Sequence, residues 1–211
     1  MYEAANDSLP YGFDDSSLAF PPGGYPGNSG SDRMGWWWFN LIEGFYTKSA
    51  GKRTILRCPS KQLRDPMLKN NILCGNYGVN QSICKSKAGR RSHAEFIGAP
   101  LARNDIQWPG KTLLIVDSGY SLINWWHATE NPPVSLTNTM IEDAAYIPGL
   151  WINKGRELWP GQERDAINGR HPNKTVNIGF ADGHLRRVKA DELLAGKTIS
   201  PYTSPGPFWL P

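Results

Sequence analysis

Thr175-Val176-Asn177-Ile178-Gly179-Phe180-Ala181-Asp182-Gly183-His184-Leu185-Arg186-Arg187-Val188 is the stretch on which the reading of this chain turns. Two β-prone runs flank Asp182-Gly183, and alternation puts Val176, Ile178 and Phe180 on one face. Asp-Gly is the preferred pair of a two-residue type I′ turn, because both central residues must accept positive φ and the mirror-image turn follows the strand twist. The stretch therefore predicts a β-hairpin. Beyond it, Ala190 to Gly196 reads as a short helix stopped by glycine, and the Pro-rich tail to Pro211 as an extended surface segment.

Upstream, Thr112-Leu113-Leu114-Ile115-Val116-Asp117-Ser118 is a continuous β-rich run after the Pro109-Gly110 turn, with Asp117 where the strand leaves the core. Ser121 to Trp126 continues as an aromatic-rich strand or a short helix. Thr54 to Cys58 and Asn76 to Asn80 read as two further short strands, so an antiparallel or mixed sheet is expected. Between Asn131 and Asn168 lies a long connection with little periodicity, which is uncommon in a compact domain without a purpose. Trp36-Trp37-Trp38-Phe39-Asn40-Leu41-Ile42 predicts a short helix with its aromatics inward, or else an exposed aromatic platform. Tyr11 to Asp32 is read as loop with no regular element, and Met1 to Asn6 as the last turn of a helix ended before Pro10.

The 211 residues include 22 glycines, 17 prolines and nine tryptophans, with 39% hydrophobic and 20% charged residues. Bulky side chains suffice for one core, so a single loop-rich domain is expected and global disorder is not. A net charge of +4, spread along the chain, gives no reason to expect nucleic-acid binding. No apolar run approaches the ~20 residues needed to cross a bilayer, and Met1 leads into Glu3, Asn6 and Asp7 without the features of a signal peptide. Three cysteines leave two readings open: unpaired thiols, or an oxidising compartment with one disulfide among Cys58, Cys74 and Cys84. Cys58 with Cys74 and Cys74 with Cys84 are the short-loop pairings.

Patterns that announce catalysis are missing: Gly-x-Ser-x-Gly, the dinucleotide and Walker loops and His-Glu-x-x-His do not occur. The cysteines lack Cys-x-x-Cys spacing, and carboxylates such as Asp14-Asp15 and Glu142-Asp143 read as solvated turns. No enzyme activity and no cofactor are expected. His171, upstream of Asp182, has two readings. In one its ring packs beside the hairpin; in the other His171, Asp182 and Asp117 gather at a cation, calcium being the ion considered although His is a poor calcium ligand. Trp36, Trp37, Trp125 and Trp126 are read as core or partner-interface residues, or as glycan contacts of an extracellular carbohydrate-binding module.

In order along the chain, Tyr2-Glu3-Ala4-Ala5-Asn6-Asp7 with Leu9-Pro10, Trp38-Phe39-Asn40-Leu41-Ile42, Arg57-Cys58-Pro59-Ser60, Tyr77-Gly78-Val79-Asn80, Lys111 to Ser118, Arg170-His171 and Gly179-Phe180-Ala181-Asp182-Gly183-His184 resemble the blocks of a known family. It is the prepilin-type, processing-associated His-X9-Asp-Gly family, related to type IV pilins and type II secretion pseudopilins. Ten residues, not nine, separate His171 from Asp182, which widens the loop before the strand. The resemblance makes Cys58, Pro59, Asn80, Asp117, His171, Phe180, Asp182 and Gly183 motif residues with structural roles. It also implies an α+β pilin-like head in which a truncated N-terminal helix packs on an antiparallel sheet with long loops. Residues 1–8 would end the spine helix, 9–35 form a loop, 36–200 the sheet core with insertions and 201–211 the tail. The implied protein is a non-catalytic, methylated subunit of a periplasmic or cell-surface filament. Its precursor would be anchored in the inner membrane by a helix missing here, and its partners would be other pilin-like subunits and the secretion machinery.

Overall fold

The structure, a computed structural model, describes residues 6–14, 35–42, 54–87, 93–136, 143–195 and 208–210. The hairpin forms as strands Thr175–Phe180 and Leu185–Lys189, paired antiparallel from Thr175 with Lys189 to Gly179 with Leu185. Val176, Ile178, Phe180 and Val188 are buried, as the alternation requires. The connection, however, is not a type I′ pair. Gly183 donates its N–H to the Phe180 carbonyl at 2.9 Å, and the Phe180 N–H bonds the His184 carbonyl. Only Gly183 has positive φ, at 94°. Ala181, Asp182 and Gly183 thus make a three-residue loop, the type I turn followed by a left-handed bulge residue. Asp182 keeps negative φ, and its carboxylate accepts the His184 N–H, a local bond that supports the three-residue loop.

In chain order the strands are β1 (Phe13–Asp14), β2 (Trp36–Trp37), β3 (Tyr77–Asn80), β4 (Leu113–Asp117), β5 (Leu122–Ile123), β6 (Thr175–Phe180) and β7 (Leu185–Lys189). Five of them form one sheet in the order β5-β3-β4-β6-β7. Its neighbours are antiparallel except β5, which runs parallel to β3. The class is mixed, with few helices and a mostly antiparallel sheet, compatible with α+β. Among the described residues the α-helices are short: α1 (Trp38–Leu41), α2 (Pro66–Asn70) and α3 (Glu163–Asn168). No helix of the described residues is long and apolar enough to cross a membrane.

Several expectations change. Phe13–Asp14, read as loop, pairs with Trp36–Trp37, so the aromatic run starts as strand and turns helical only at Trp38. Thr54–Leu56 is a 3₁₀ turn, not a strand. No edge receives it: the Cys58 N–H is taken by Asn76 Oδ1 at 3.0 Å and Pro59 cannot continue a ladder. Inside the long connection Trp151–Gly155 forms a 3₁₀ turn and Glu163–Asn168 helix α3. Helix α2 has an explicit start, since Asp65 Oδ1 caps the Met67 and Leu68 N–H groups and Pro66 occupies the first helical position. Ala190–Leu193 is 3₁₀. The expected end of the spine helix falls mostly on residues 1–5, and the Gly196 stop lies with them outside the described residues.

The tail is not a surface strand where it can be followed. Phe208 and Trp209 are buried, and the Leu113 N–H bonds the Phe208 carbonyl at 2.7 Å. Trp209 donates its indole N–H to the Leu193 carbonyl, while Asn80 Nδ2 reaches the carbonyls of both Leu113 and Trp209. Two large apolar rings explain the docking: leaving them in water costs more than ordering the segment.

Candidate functional site

Where β4 and β6 part, the sheet ladder ends at Val116 and Ile178, and a side chain takes over the next bond. Asp117 Oδ2 accepts the Asn177 backbone N–H at 2.7 Å and the Asn177 side-chain amide at 3.0 Å. The β-alternation that buries Val176 and Ile178 turns Asn177 to the other face, where it meets His171 as well: Asn177 Nδ2 lies 3.1 Å from His171 Nε2. His171 Nε2 is in turn 3.1 Å from Asp117 Oδ2. Asp117 is fully buried, and its Oδ1 has no hydrogen-bond partner among the described residues.

Cys58 completes the cluster. One donor atom each from Cys58, Asp117 and His171 lies within 4.8 Å of the others. The Cys58 backbone is held by Asn76, whose amide also bonds the Ile72 and Cys74 carbonyls. Tyr77, paired across the ladder with Asp117, has its hydroxyl pKa raised by burial first and then by the negative charges of Cys58 and Asp117.

A second polar centre adjoins the first. Arg170, wholly buried, donates to the carbonyls of Gly75, Asn76 and Ser118 and forms an ion pair with Asp165. Asp165 also accepts from the Gln62 N–H and the Tyr146 hydroxyl. Burial is the largest single influence and works against the Arg170 charge, but Asp165, Tyr146 and Asp117 together outweigh it and hold the guanidinium above its ordinary pKa. The same surroundings push the Tyr146 hydroxyl well above its usual value, chiefly through burial and then through Asp165. Arg170 thereby fixes the backbone that presents His171. In the loop that follows, Asn173 and Lys174 have φ of 57° and 54°. Lys174 crosses tightly over Gly149 and Gly169, where a Cβ on Gly149 would stand 2.9 Å from Lys174 Cβ.

Of the three residues of the cation reading, His171 and Asp117 are brought together and Asp182 is not. Asp182 Oδ1 lies 2.6 Å from His184 Nδ1, and that ring stacks on Phe180. The carboxylate pKa is lowered by the His184 backbone N–H first. Gly183 shapes the turn, Asn80 stitches β3 to the C-terminal segment, and Pro59 is an exposed turn residue. Asp117 does not leave the core but is buried at the strand end. Of the two cysteine readings, the structure has the one without a disulfide: Cys58, Cys74 and Cys84 are all buried and none is cross-linked. They belong to different parts of the core, beside Asn76, in a bridge to Tyr120 and after Asn80.

Trp37, Trp125 and Trp126 are buried and Trp36 is half-buried, so these four form no exposed platform. Trp37 packs on Phe13 and Tyr120, and Trp126 on Phe96 and His93. The exposed indoles are Trp108 at 48% and Trp151 at 42%. Trp151 lines a groove of about 630 Å³ with Glu130, Arg156 and Glu157. The joining of Cys58 to Asp117 and His171, and of Asn177 to Asp117, has no local sequence signal, because these partners are dozens of residues apart. Compared with known family models, curated proteins and solved structures, the chain has no match.

Proposed function

We propose that the chain is the head of a non-catalytic pseudopilin-like subunit, assembling into a periplasmic or cell-surface filament of a type II secretion or type IV pilus-like system. The convergence of four separated sequence blocks on one centre carries this proposal. Arg170 bonds the backbone beside Tyr77-Gly78-Val79-Asn80 and within the Asp117-Ser118 block, Cys58 is tied to the same Asn76, and His171 meets Asp117. Residues that matter only as isolated surface features would not be wired together in this way. A filament head also needs firm coupling to its entering chain. Leu9 is buried with its N–H on the Leu101 carbonyl, and Gly12 and Phe13 are bonded to the backbone of residues 84–87. Its partners are then other pilin-like subunits and the secretion machinery, and its precursor is anchored in the inner membrane.

The encoding locus, read upstream of Met1, tests this directly. A prepilin-type leader followed by an apolar helix of about 20 residues is expected. Cross-linking of the native protein in cells should give a ladder of multimers that disappears when the prepilin peptidase is deleted. A gene without such a helix, or a monomer in both strains, overturns the proposal.

The exposed Trp151 in its charged groove favours a second function, carbohydrate binding at a site other than the four tryptophans first considered. Glycan arrays with Trp151→Ala as the control decide it: binding that does not depend on Trp151 removes this alternative.

A further inference from the structure

We propose that Cys58, Asp117 and His171 bind one divalent transition-metal ion of zinc's class. Three donors of different chemistry converge from three distant segments, with their donor atoms within 4.8 Å of one another. A zinc ion bonded at about 2.0 to 2.3 Å spaces its ligands by roughly 3 to 4 Å, and His171 Nε2 and Asp117 Oδ2 are already 3.1 Å apart.

Hydrogen bonding leaves the site with an open acceptor and a donor shared between two partners. Asp117 Oδ2, His171 Nε2 and Asn177 Nδ2 form a nearly equilateral triangle with sides of 3.0 to 3.1 Å. The two N–H bonds of a planar amide diverge too widely to point at two partners set so close together, so Asn177 cannot serve both well. If Asn177 donates to His171, the imidazole lone pair faces the carboxylate oxygen with no proton between them. Asp117 Oδ1, wholly buried, has no partner among the described residues. A cation accepts the imidazole and carboxylate lone pairs together and leaves Asn177 free to orient the carboxylate, the usual arrangement around a metal ligand.

Charge and softness select the ion. A thiolate and a carboxylate bring two negative charges into a nearly dry site, which a divalent cation offsets. One sulfur, one imidazole nitrogen and a single carboxylate suit zinc or its neighbours and not calcium, which takes six to eight oxygen ligands. The ligands are also held in advance: Cys58 through Asn76, Asp117 at the end of β4, and His171 by the Arg170 hub. The His171 side chain is 12% accessible, which gives a fourth ligand, a water molecule, a side from which to enter. This site stands independently of the filament proposal, and either can fail without the other.

Reduced, chelator-treated protein titrated with Co²⁺ and Zn²⁺ provides the test, with calorimetry for stoichiometry and absorption for the ligand set. One ion per chain is expected, with a thiolate-to-cobalt charge-transfer band and the intense ligand-field bands of four-coordinate cobalt. Cys58→Ser should abolish the charge-transfer band. His171→Ala should weaken binding by more than the ~10 to 100-fold typical of losing an outer-shell partner. His184→Ala, which removes the exposed imidazole at the hairpin, should change nothing. Absence of stoichiometric uptake by folded wild-type protein, a cobalt spectrum without the thiolate band, or full binding in both ligand variants overturns the site. If a variant fails to fold, the wild-type spectrum alone decides.

Discussion

Arg170 and Asp165 form an ion pair with no solvent access to either side chain, and it ties the end of α3 to two loops of the sheet. Removing one member leaves a buried charge without its partner. Asp165→Asn is expected to cost about 3 to 5 kcal/mol in urea denaturation. Arg170→Lys should cost a similar amount, because one ammonium cannot reach three carbonyls and a carboxylate as the planar guanidinium does. A loss below about 1 kcal/mol in both variants would show that the pair does not hold this region together.

Gly183 has φ of 94° with open space where a Cβ would stand, so substitution there is a test of backbone conformation alone. Gly183→Val is expected to lose roughly 1 to 3 kcal/mol, and Gly183→Asn clearly less, since Asn tolerates positive φ better than a β-branched residue. Equal stabilities of the two variants in guanidinium melts would contradict the turn assignment.

His127 is buried, and its pKa is pushed down to about 3 by burial first and by Arg156 second. The unfolded chain protonates this imidazole near 6.5. Between these values the unfolded state binds more protons, so stability is flat above pH 6.5 and falls as pH drops, by up to about 1.4 kcal/mol per pH unit. His127→Gln should therefore lose about 2 kcal/mol less than wild type between pH 7 and pH 5. Denaturation curves at the two pH values check the sign.

All three thiols are buried, and burial pushes the Cys84 pKa up to about 12. Thiol reagent should label native protein slowly, then react with three groups per chain once denaturant is added, with no reductant required. One thiol after unfolding would mean that a disulfide forms after all.

Periodicity and turn chemistry made the hairpin and β4 legible in the sequence, because Val176, Ile178 and Phe180 carry their burial in their own spacing. The same reasoning misjudged Thr54–Leu56, which forms a 3₁₀ turn, and Trp36–Trp37, which needed Phe13–Asp14 as a partner. His171 and Asp117 could be picked out as polar residues beside strands. Cys58 could not be joined to them, nor Asp182 separated, because both outcomes depend on long-range packing. Cys58 is placed by Asn76, and Asp182 is occupied by His184 two residues on. Arg170 stood in the sequence as half of a motif, but its role lies in three backbone carbonyls that no side-chain pattern encodes.

The docking of Phe208 and Trp209 also sets an order of events during synthesis. Leu113 and Asn80 acquire their last partners only after the ribosome has passed Leu210. Until then a nascent sheet presents an unsealed apolar seam beside β4, a window in which chaperones can hold the chain open. Maturation of this domain is thus timed by its final stitches, not by its first hairpin.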